Sequence, residues 1–189
     1  ADPEFKVSLA GNYHPEIEVG LYDYCIALDQ GELLPREVME RRKAEGKKTT
    51  VYTCCSTHRP NTFTFSIPAE GAWYGFYAAY SGYDGYLRWA YNSWTKHPLH
   101  DTRFRSWPAG DTYMVYPYGR SSVRFEKLIE GIQAHEKVRI LREEYEATGN
   151  TAAQAKLDEL MNSFNFDSQH TEDFPTLISE GQQRINALK

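Results

Sequence analysis

LYDYCIALDQGELLPREVMERRKAEGKKTTVYTC, residues 21–54, contains the pattern that decides the fold. A β-like run at 21–28 is followed by a charge-rich segment at 35–44, which ends near Gly46, and then by a second β-like run at 48–54. A glycine just past the last turn is a common helix C-terminal signal. The stretch therefore predicts a strand, a helix and a second strand, which is the repeating unit of a parallel sheet.

The same rhythm continues on both sides of this stretch. Residues 5–10 and 86–92 are further β-like runs, and residues 69–80 carry aromatic side chains at helical spacing, which predicts a crossover helix. Residues 123–147 have the apolar stripe of a long amphipathic helix, with Ser121 or Ser122 as its N-cap. Two short helices joined by the polar segment 165–171 are predicted to complete the chain.

Four strands separated by helices cannot close a barrel alone, and they would leave sheet edges unpaired. Two arrangements remain, namely half of a longer protein's barrel or an open α/β sheet. The long final helix followed by a tail favours the first. The prediction is an α/β fold that forms strands 5 to 8, the second half of a (β/α)8 TIM barrel. Residues 1–149 form this C-terminal half, and residues 150–189 form a helical tail packing on it.

Composition excludes several classes of partner. A net charge of −5, from 21 basic and 26 acidic residues, leaves no electrostatic footprint for nucleic acid or an anionic membrane surface. No apolar run approaches the roughly 20 residues of a membrane-spanning helix, and no signal-peptide pattern is visible. Three cysteines, two of them adjacent, do not make a disulfide framework. Residues 1–6 run into the first strand and are interpreted as native, and no cofactor is predicted.

The chain is rich in aromatic residues, with 14 Tyr, 9 Phe and 4 Trp. Sites in parallel α/β folds gather at the C-terminal ends of the strands, and sugars need both aromatic faces and hydrogen-bonding groups. These two rules select the polar and aromatic side chains at or beyond the predicted strand ends as candidate substrate-binding residues. They are Asn12, Tyr13, His14, Tyr52, His58, Arg59, Asn61, Trp89, Tyr91, Asn92, Trp94 and Asp111.

Several of these residues have a structural interpretation that is equally open. Trp89 and Tyr91 alternate along a predicted strand and could belong to the core, whereas Trp94 lies beyond the strand and is the better stacking candidate. Asn12 and Asn92 could simply hold turns. His14 precedes a proline in a loop and could be a plain exposed residue.

Other groups that could carry chemistry are interpreted conservatively. His97, His100, Asp101 and Asp111 lie in one irregular loop without the spacing of a metal site, so no metal is predicted. The Cys54-Cys55 pair is expected to be buried, inert packing at a strand end rather than a nucleophile. Arg124 and Glu126 are expected to fix the loop before the long helix through an ion pair or a cap.

One succession of motifs resembles a known family. GDTYMVYP at 110–117 follows Trp107, and SVRFE at 122–126 leads to EG at 130–131 and HE at 135–136. This succession is similar to the C-terminal part of the catalytic domain of glycoside hydrolase family 123, where W-x-x-G-D-x-x-L-x-Y-P-G precedes S-[IV]-R-[FL]-E-x-L-x-x-G. YLRWAYNSW at 86–94 and GKK leading to YTC at 46–54 also fit, so the likeness reaches about residue 147. Tyr118 and His135 depart from the pattern.

The resemblance implies a retaining N-acetylhexosaminidase, N-acetylgalactosaminidase-like, in which the acetamido oxygen of the substrate attacks the anomeric carbon. An Asp-Glu pair at a middle barrel strand assists in the family, but the only Asp-Glu dipeptide here is Asp158-Glu159 in the tail. No catalytic residue is therefore assigned, and the chain is expected to supply walls of the sugar site. A glycan carrying N-acetylhexosamine and the N-terminal half of the barrel are the expected partners. Family likeness alone suggests a secreted or periplasmic location.

Two other functions remain compatible with the sequence. The protein could be a carbohydrate-binding module or inactive relative that keeps the aromatic residues without an acid/base pair. Alternatively, the segment could be a structural domain whose aromatic residues are core.

Overall fold

The computed structural model describes residues 5–28 and 33–188. It contains a four-stranded parallel sheet in the order β1-β2-β3-β4, with β1 Ser8–Gly11, β2 Asp23–Ala27, β3 Lys48–Thr53 and β4 Gly85–Arg88. The helices are α1 Pro15–Glu18, α2 Arg36–Ala44, α3 Ala69–Ser81, α4 Val123–Thr148, α5 Thr151–Met161 and α6 Phe174–Ala187, with 3₁₀ segments at Pro117–Gly119, Asn162–Phe164 and Phe166–His170. The predicted mixed α/β class is confirmed. No helix in the described part is long and apolar enough to cross a membrane.

Most element boundaries agree with the sequence pattern, but β4 does not. The prediction that β4 reaches residue 92 is wrong, because the strand ends at Arg88. The chain then turns away and pairs with a later segment of the same loop, with Asn92 bridged to Tyr113. The first strand begins at Ser8 rather than at residue 5, and residues 1–4 of the predicted native start lie outside the described residues.

The crossover helices pack on one face of the sheet. Tyr74 of α3 stacks on Tyr86 of β4 with ring centroids 3.8 Å apart, and its hydroxyl lies 2.8 Å from the Thr53 hydroxyl. Because side chains alternate along a strand, residues between these inward positions lie on the opposite face. Asp23 and Thr50 share that face, where the Thr50 hydroxyl donates to Asp23 Oδ1 at 3.1 Å. The sheet therefore has one helix-covered face and an opposite face that carries Asp23 and Thr50 together with the buried Cys25 and Ala27.

The largest core cluster lies where α3 and α4 cross. A Cβ atom on Gly75 would lie 1.8 Å from the Gly131 carbonyl oxygen, so the two backbones meet without room for any side chain. The tail helices share this core, since Phe164 stacks on Phe76 at 4.4 Å and Trp73 Nε1 donates to Ser168 Oγ at 3.0 Å. Helices α5 and α6 are thus packed against α3 and α4 rather than set apart from them.

A buried arginine locks the N-terminal end of the sheet. Arg42 of α2 is fully buried, and all its nitrogens are hydrogen-bonded. They donate to the Glu18 carboxylate and carbonyl, to the Thr49 hydroxyl, and to the carbonyls of Leu21, Tyr22 and Lys48. A buried guanidinium is tolerated only when its charge and donors are matched, and Glu18 supplies the charge. These contacts stabilise the N-terminal ends of the strands. In parallel α/β folds the functional residues lie at the opposite, C-terminal ends.

Candidate functional site

The twelve candidate residues from the sequence differ widely in exposure. Asn12, His14, His58, Trp89, Tyr91, Asn92 and Trp94 are exposed, Tyr13, Tyr52 and Arg59 are half-buried, and Asn61 and Asp111 are buried. Residues 89–94 and Asp111 come together in the loop after β4. The group at 12–14 follows β1, three strands away, or about 14 Å at the usual spacing of strands.

Residues 89–94 form the inner arm of the long loop that follows β4. Tyr91 accepts a hydrogen bond from the Met114 backbone N–H at 2.9 Å, and the Ser93 backbone N–H donates to Thr112 at 3.0 Å. The Thr112 hydroxyl adds a bond to the Ser93 carbonyl at 2.8 Å. Trp94 Nε1 donates to the Val115 carbonyl at 2.8 Å, which fixes the indole while leaving it 41% exposed. The loop is therefore an ordered hairpin-like structure that presents aromatic side chains.

Arg124, at the start of α4, ties the loops after β3 and β4 together. Its Nη1 donates to the carbonyls of Thr62 and Gly110 at 2.6 and 2.8 Å, and its Nη2 donates to the Tyr113 carbonyl at 2.9 Å. Burial lowers the pKa of Arg124 from its usual value, because the charged form loses hydration. Arg124 fixes this loop as expected, but the expected ion pair or cap is wrong for it, because its partners are three carbonyls.

The cap of α4 reinforces the same junction. Ser122 Oγ accepts a hydrogen bond from the Phe125 backbone N–H at 3.2 Å and donates its own proton to the Met114 carbonyl at 2.6 Å. Ser122, one of the two predicted caps, is thus confirmed. Glu126 is hydrogen-bonded by the neighbouring Ser121 hydroxyl. The first turn of α4 is therefore a second anchor for the loop after β4.

Asp111 lies beneath this loop and orients Trp89. Its side chain is fully buried, and Oδ1 accepts hydrogen bonds from Arg88 Nη2 and from Trp89 Nε1, both at 3.1 Å. Arg88 also donates to the Asp111 main-chain carbonyl. Asp111 thus acts on the exposed surface through Trp89, and a direct contact with substrate stays a prediction.

Trp89 is the first of three aromatic rings that contact one another in succession. Trp107 packs edge-on against Trp89 with ring centroids 4.6 Å apart, and Phe104 follows at 6.2 Å from Trp107. Trp89 and Trp107 are 36% and 37% exposed. We call Trp89, Trp107 and Phe104 the aromatic strip. Its partly exposed rings have the flat apolar faces on which the C–H groups of a pyranose stack.

Some of the candidates are used within the protein itself. The Asn61 amide donates to the carbonyls of Cys54 and Thr57 at 2.9 and 2.7 Å and accepts from the Thr62 backbone N–H at 2.8 Å. Its hydrogen-bonding groups are occupied, and none is exposed. Arg59 is directed toward the tail, with its guanidinium carbon 5.2 Å from the centre of the Phe174 ring. Both residues hold the loop after β3 in shape.

Tyr13 and its neighbours follow β1 at the other side of the sheet. The Tyr13 ring packs 6.2 Å from the Tyr24 ring, and desolvation by burial raises its pKa. Tyr24 in turn donates to the Asn12 carbonyl at 2.6 Å and accepts from the His14 backbone N–H at 2.8 Å. These bonds use backbone groups, so the side chains of Asn12 and His14 stay exposed.

The cysteine pair differs in part from its prediction. Cys54, Cys55 and Cys25 are free thiols. Cys55 is exposed just past β3 and Cys54 is half-buried, so the expectation that the pair is buried is wrong. Partial burial and contacts with Cys54 and Asp111 raise the pKa of Cys55, which disfavours its thiolate. Among residues 5–28 and 33–188 no group of three His, Cys, Asp or Glu side chains could hold a metal ion.

A large cavity lies beside the sheet rather than at the strand ends. It has a volume of about 1080 Å³ and extends along the free edge of β4. Its lining includes Tyr74, Tyr86, Arg88, Leu128 and Ile132. Arg88 Nε and Nη1 are buried there without a partner in the part of the chain that the structure describes. None of the three rings of the aromatic strip lines this cavity.

Two rings of the strip, Trp107 and Phe104, are not among the twelve candidate residues. Trp107 stands out in the sequence only as part of a motif, and the loop has no periodicity that would place Phe104 on a surface. The motif spacing before Gly110-Asp111 was the one available signal for Trp107. No local pattern linked Arg124 to Thr62, which precedes it by 62 residues.

Comparisons with known proteins agree with this architecture. The profile of the glycoside hydrolase 123 catalytic domain matches residues 1–141. A solved structure of a family 123 glycoside hydrolase from Clostridium perfringens, studied for glycolipid glycan hydrolysis, superposes with a TM-score of 0.74 at 26% sequence identity. The match covers 96% of this chain but only 34% of that protein, so the chain spans about a third of its length. No curated protein matches significantly.

The parallel sheet and these matches assign the chain to a family of glycoside hydrolases. It belongs to glycoside hydrolase family 123, and the profile of that family's catalytic domain covers most of its length. The resemblance in the motifs at 107–136 is thereby confirmed.

Proposed function

We propose that the protein containing this chain hydrolyses N-acetylhexosaminides, and that the chain forms a wall of the sugar site. The observation that carries the proposal is the aromatic strip at the C-terminal end of a parallel sheet in a family 123 chain. Active sites of parallel barrels form at that end. Trp89, held by Asp111 and 36% exposed, is the residue that we assign to stacking on the sugar.

The open sides of the sheet support a barrel made with additional strands. We infer that β1 to β4 are the second half of a (β/α)8 barrel, with residues 150–189 packed on it. At one edge, Leu9 of β1 and Val7 just before it are 37% and 41% exposed. At the other edge the β4 cavity contains buried Arg88 donors that lack partners among the described residues. A buried donor without an acceptor is costly, and a neighbouring strand and helix would cover both edges.

The proposed reaction is substrate-assisted hydrolysis with retention. The acetamido carbonyl oxygen attacks C1, the C1–O bond to the leaving group breaks, and a general acid protonates the departing oxygen. Water then attacks C1, the same group takes its proton, and the acetamido group is regenerated. Asp158-Glu159 does not fit the acid/base role, because Asp158 lies on α5 and is bound by Arg142 and Gln154. We therefore place the acid/base pair in the other half of the barrel.

The direct test uses the full-length protein and nitrophenyl N-acetyl-β-galactosaminide and N-acetyl-β-glucosaminide. We expect nitrophenol release, and NMR should show the β-anomer as first product. A trifluoroacetamido substrate should react much more slowly, because fluorine makes the attacking oxygen less nucleophilic. Equal rates for the acetamido substrate and its trifluoroacetamido analogue would exclude substrate assistance. Binding of the sugar without any release would support the alternative, a non-catalytic carbohydrate-binding relative.

A variant of Trp89 tests whether this chain forms a wall of the sugar site. We expect Trp89→Ala to raise KM about tenfold, since loss of a stacked ring costs on the order of 1.5 kcal/mol. Trp89→Phe should recover much of the loss, because it restores an aromatic face. Unchanged KM in Trp89→Ala, with the fold intact by circular dichroism, would show that this ring does not contact the sugar.

A further inference from the structure

The loop after β4, residues 93–121, differs in charge from the remainder of the chain. It has four basic residues, Lys96, Arg103, Arg105 and Arg120, against two acidic ones, Asp101 and Asp111. Asp111 is buried and bound to Arg88, so it contributes little negative field at the surface. The loop is therefore locally positive in a chain whose net charge is −5.

Arg105 stands at the outer end of the aromatic strip. Its guanidinium carbon is 5.7 Å from the centre of the Phe104 ring, and that ring is the last of the strip. The order of successive contacts is thus Trp89, Trp107, Phe104 and then a cation. Cationic and flat apolar groups in one row match a sugar chain with a charged substituent.

Two arginines of this loop differ in their partners. Arg103 is held by Asp101 through two hydrogen bonds of 2.9 and 3.1 Å, so its charge is matched. Arg105 is exposed and has no acidic partner within ion-pair distance in the described ranges 5–28 and 33–188. Its donors are therefore free for an anion from outside the chain.

The backbone at Arg105 is held in a conformation that ordinary residues avoid. Its φ is +57°, and among described non-glycine residues only Tyr118, in the same loop, shares this property. Such a conformation costs on the order of 1 kcal/mol, and Arg105 buries too little of itself to offset that cost. Strained residues of this kind are frequent where a side chain must be presented to a ligand.

We propose that the aromatic strip and Arg105 form an outer subsite for a glycan with an anionic substituent, sulfate or carboxylate, on the sugar next to the cleaved linkage. The strip holds the pyranose rings, and the Arg105 guanidinium binds the anion. This inference rests on the proposed hydrolase function, and it adds the substrate class. An uncharged substrate uses the strip alone.

The test compares three disaccharide aglycones with the full-length enzyme at low salt. Each substrate carries a terminal N-acetylhexosamine on galactose, on galactose 6-sulfate or on glucuronic acid. We expect kcat/KM for at least one charged substrate to exceed that of the neutral one about tenfold, and added salt should reduce the difference. The sulfate and carboxylate arms distinguish the two anions.

The variants are Arg105→Gln and, as a control with the same change of net charge, Arg184→Gln on α6. Arg105→Gln should remove the preference for charged substrates and leave kcat/KM on the nitrophenyl glycoside unchanged, whereas Arg184→Gln should keep the preference. Equal rates for charged and neutral substrates in the wild type would overturn the proposal, as would an equal loss on both in Arg105→Gln.

The two proposals fail in different ways. If no glycoside is cleaved, the hydrolase function fails, and calorimetric titration with the same three glycans still measures the anion preference. If the nitrophenyl glycoside is cleaved but no anion preference appears in kinetics or binding, only the outer subsite fails.

Discussion

Replacing Arg124 by methionine removes the contact that joins the loops after β3 and β4. Three carbonyls, those of Thr62, Gly110 and Tyr113, lose a charged donor at 2.6 to 2.9 Å. Hydrogen bonds of this kind contribute about 1.5–3 kcal/mol each. Removing the guanidinium also removes the free-energy cost of burying its charge, which its lowered pKa indicates. This gain offsets part of the loss of hydrogen-bond energy. We expect the free energy of unfolding to fall by about 3 kcal/mol.

Urea denaturation of the full-length protein, followed by tryptophan fluorescence, measures this loss. With a urea dependence of about 1–3 kcal/mol per molar, the midpoint should fall by roughly 1–3 M. Arg184→Met is the control, since Arg184 is exposed on α6 and has no ion pair in the described part of the chain. A midpoint for Arg124→Met within about 0.3 M of that control would refute the view that Arg124 holds the two loops together.

Three further predictions concern the core and the thiols. Gly75→Ala should destabilise the protein severely, because its Cβ would lie 1.8 Å from the Gly131 carbonyl oxygen. We expect Tm to fall well beyond the effect of substituting an exposed glycine. An unchanged Tm in a thermal scan would contradict the close crossing of α3 and α4. Burial raises the pKa of Cys25 from 9.0 to about 12, so the folded chain holds this proton more tightly than the unfolded one. The free energy of unfolding should therefore fall as pH rises from 9 toward 12, and Cys25→Ala should lose that part of the dependence. A chromogenic disulfide reagent at pH 8 should modify Cys55 in the native protein and Cys25 only after unfolding; native labelling of Cys25 would show that its site opens.

Local sequence signals were sufficient for most elements. The cap at Ser122 and the apolar stripe after it predicted α4, and the βα rhythm predicted the parallel sheet. The end of β4 was misplaced, because residues 86–92 have strand-like composition throughout. What stops the strand is the pairing of Asn92 with Tyr113, a contact 21 residues away that composition does not encode.

The candidate site shows the same division. Trp89 and Trp94 were selected from their position after a strand, and both are exposed. Asn61 follows from the same rule, yet its side-chain amide is fully hydrogen-bonded within its own loop. The rule gives the edge of the sheet on which a side chain lies, but whether that side chain meets solvent depends on how the loop folds over it.

By itself, the sequence determined the class of fold, the order of strands and helices, and the family, because these depend on periodicity, caps and contiguous motifs. Tertiary structure alone decided which side chains form the surface of the site. Phe104 and Trp107 join Trp89 in a row, and Arg105 is left without a partner while Arg103 has one. Those contacts depend on distances between segments that Arg124 and Asp111 bring together. The hydrogen-bond partners of a buried polar group are determined only when the chain has folded.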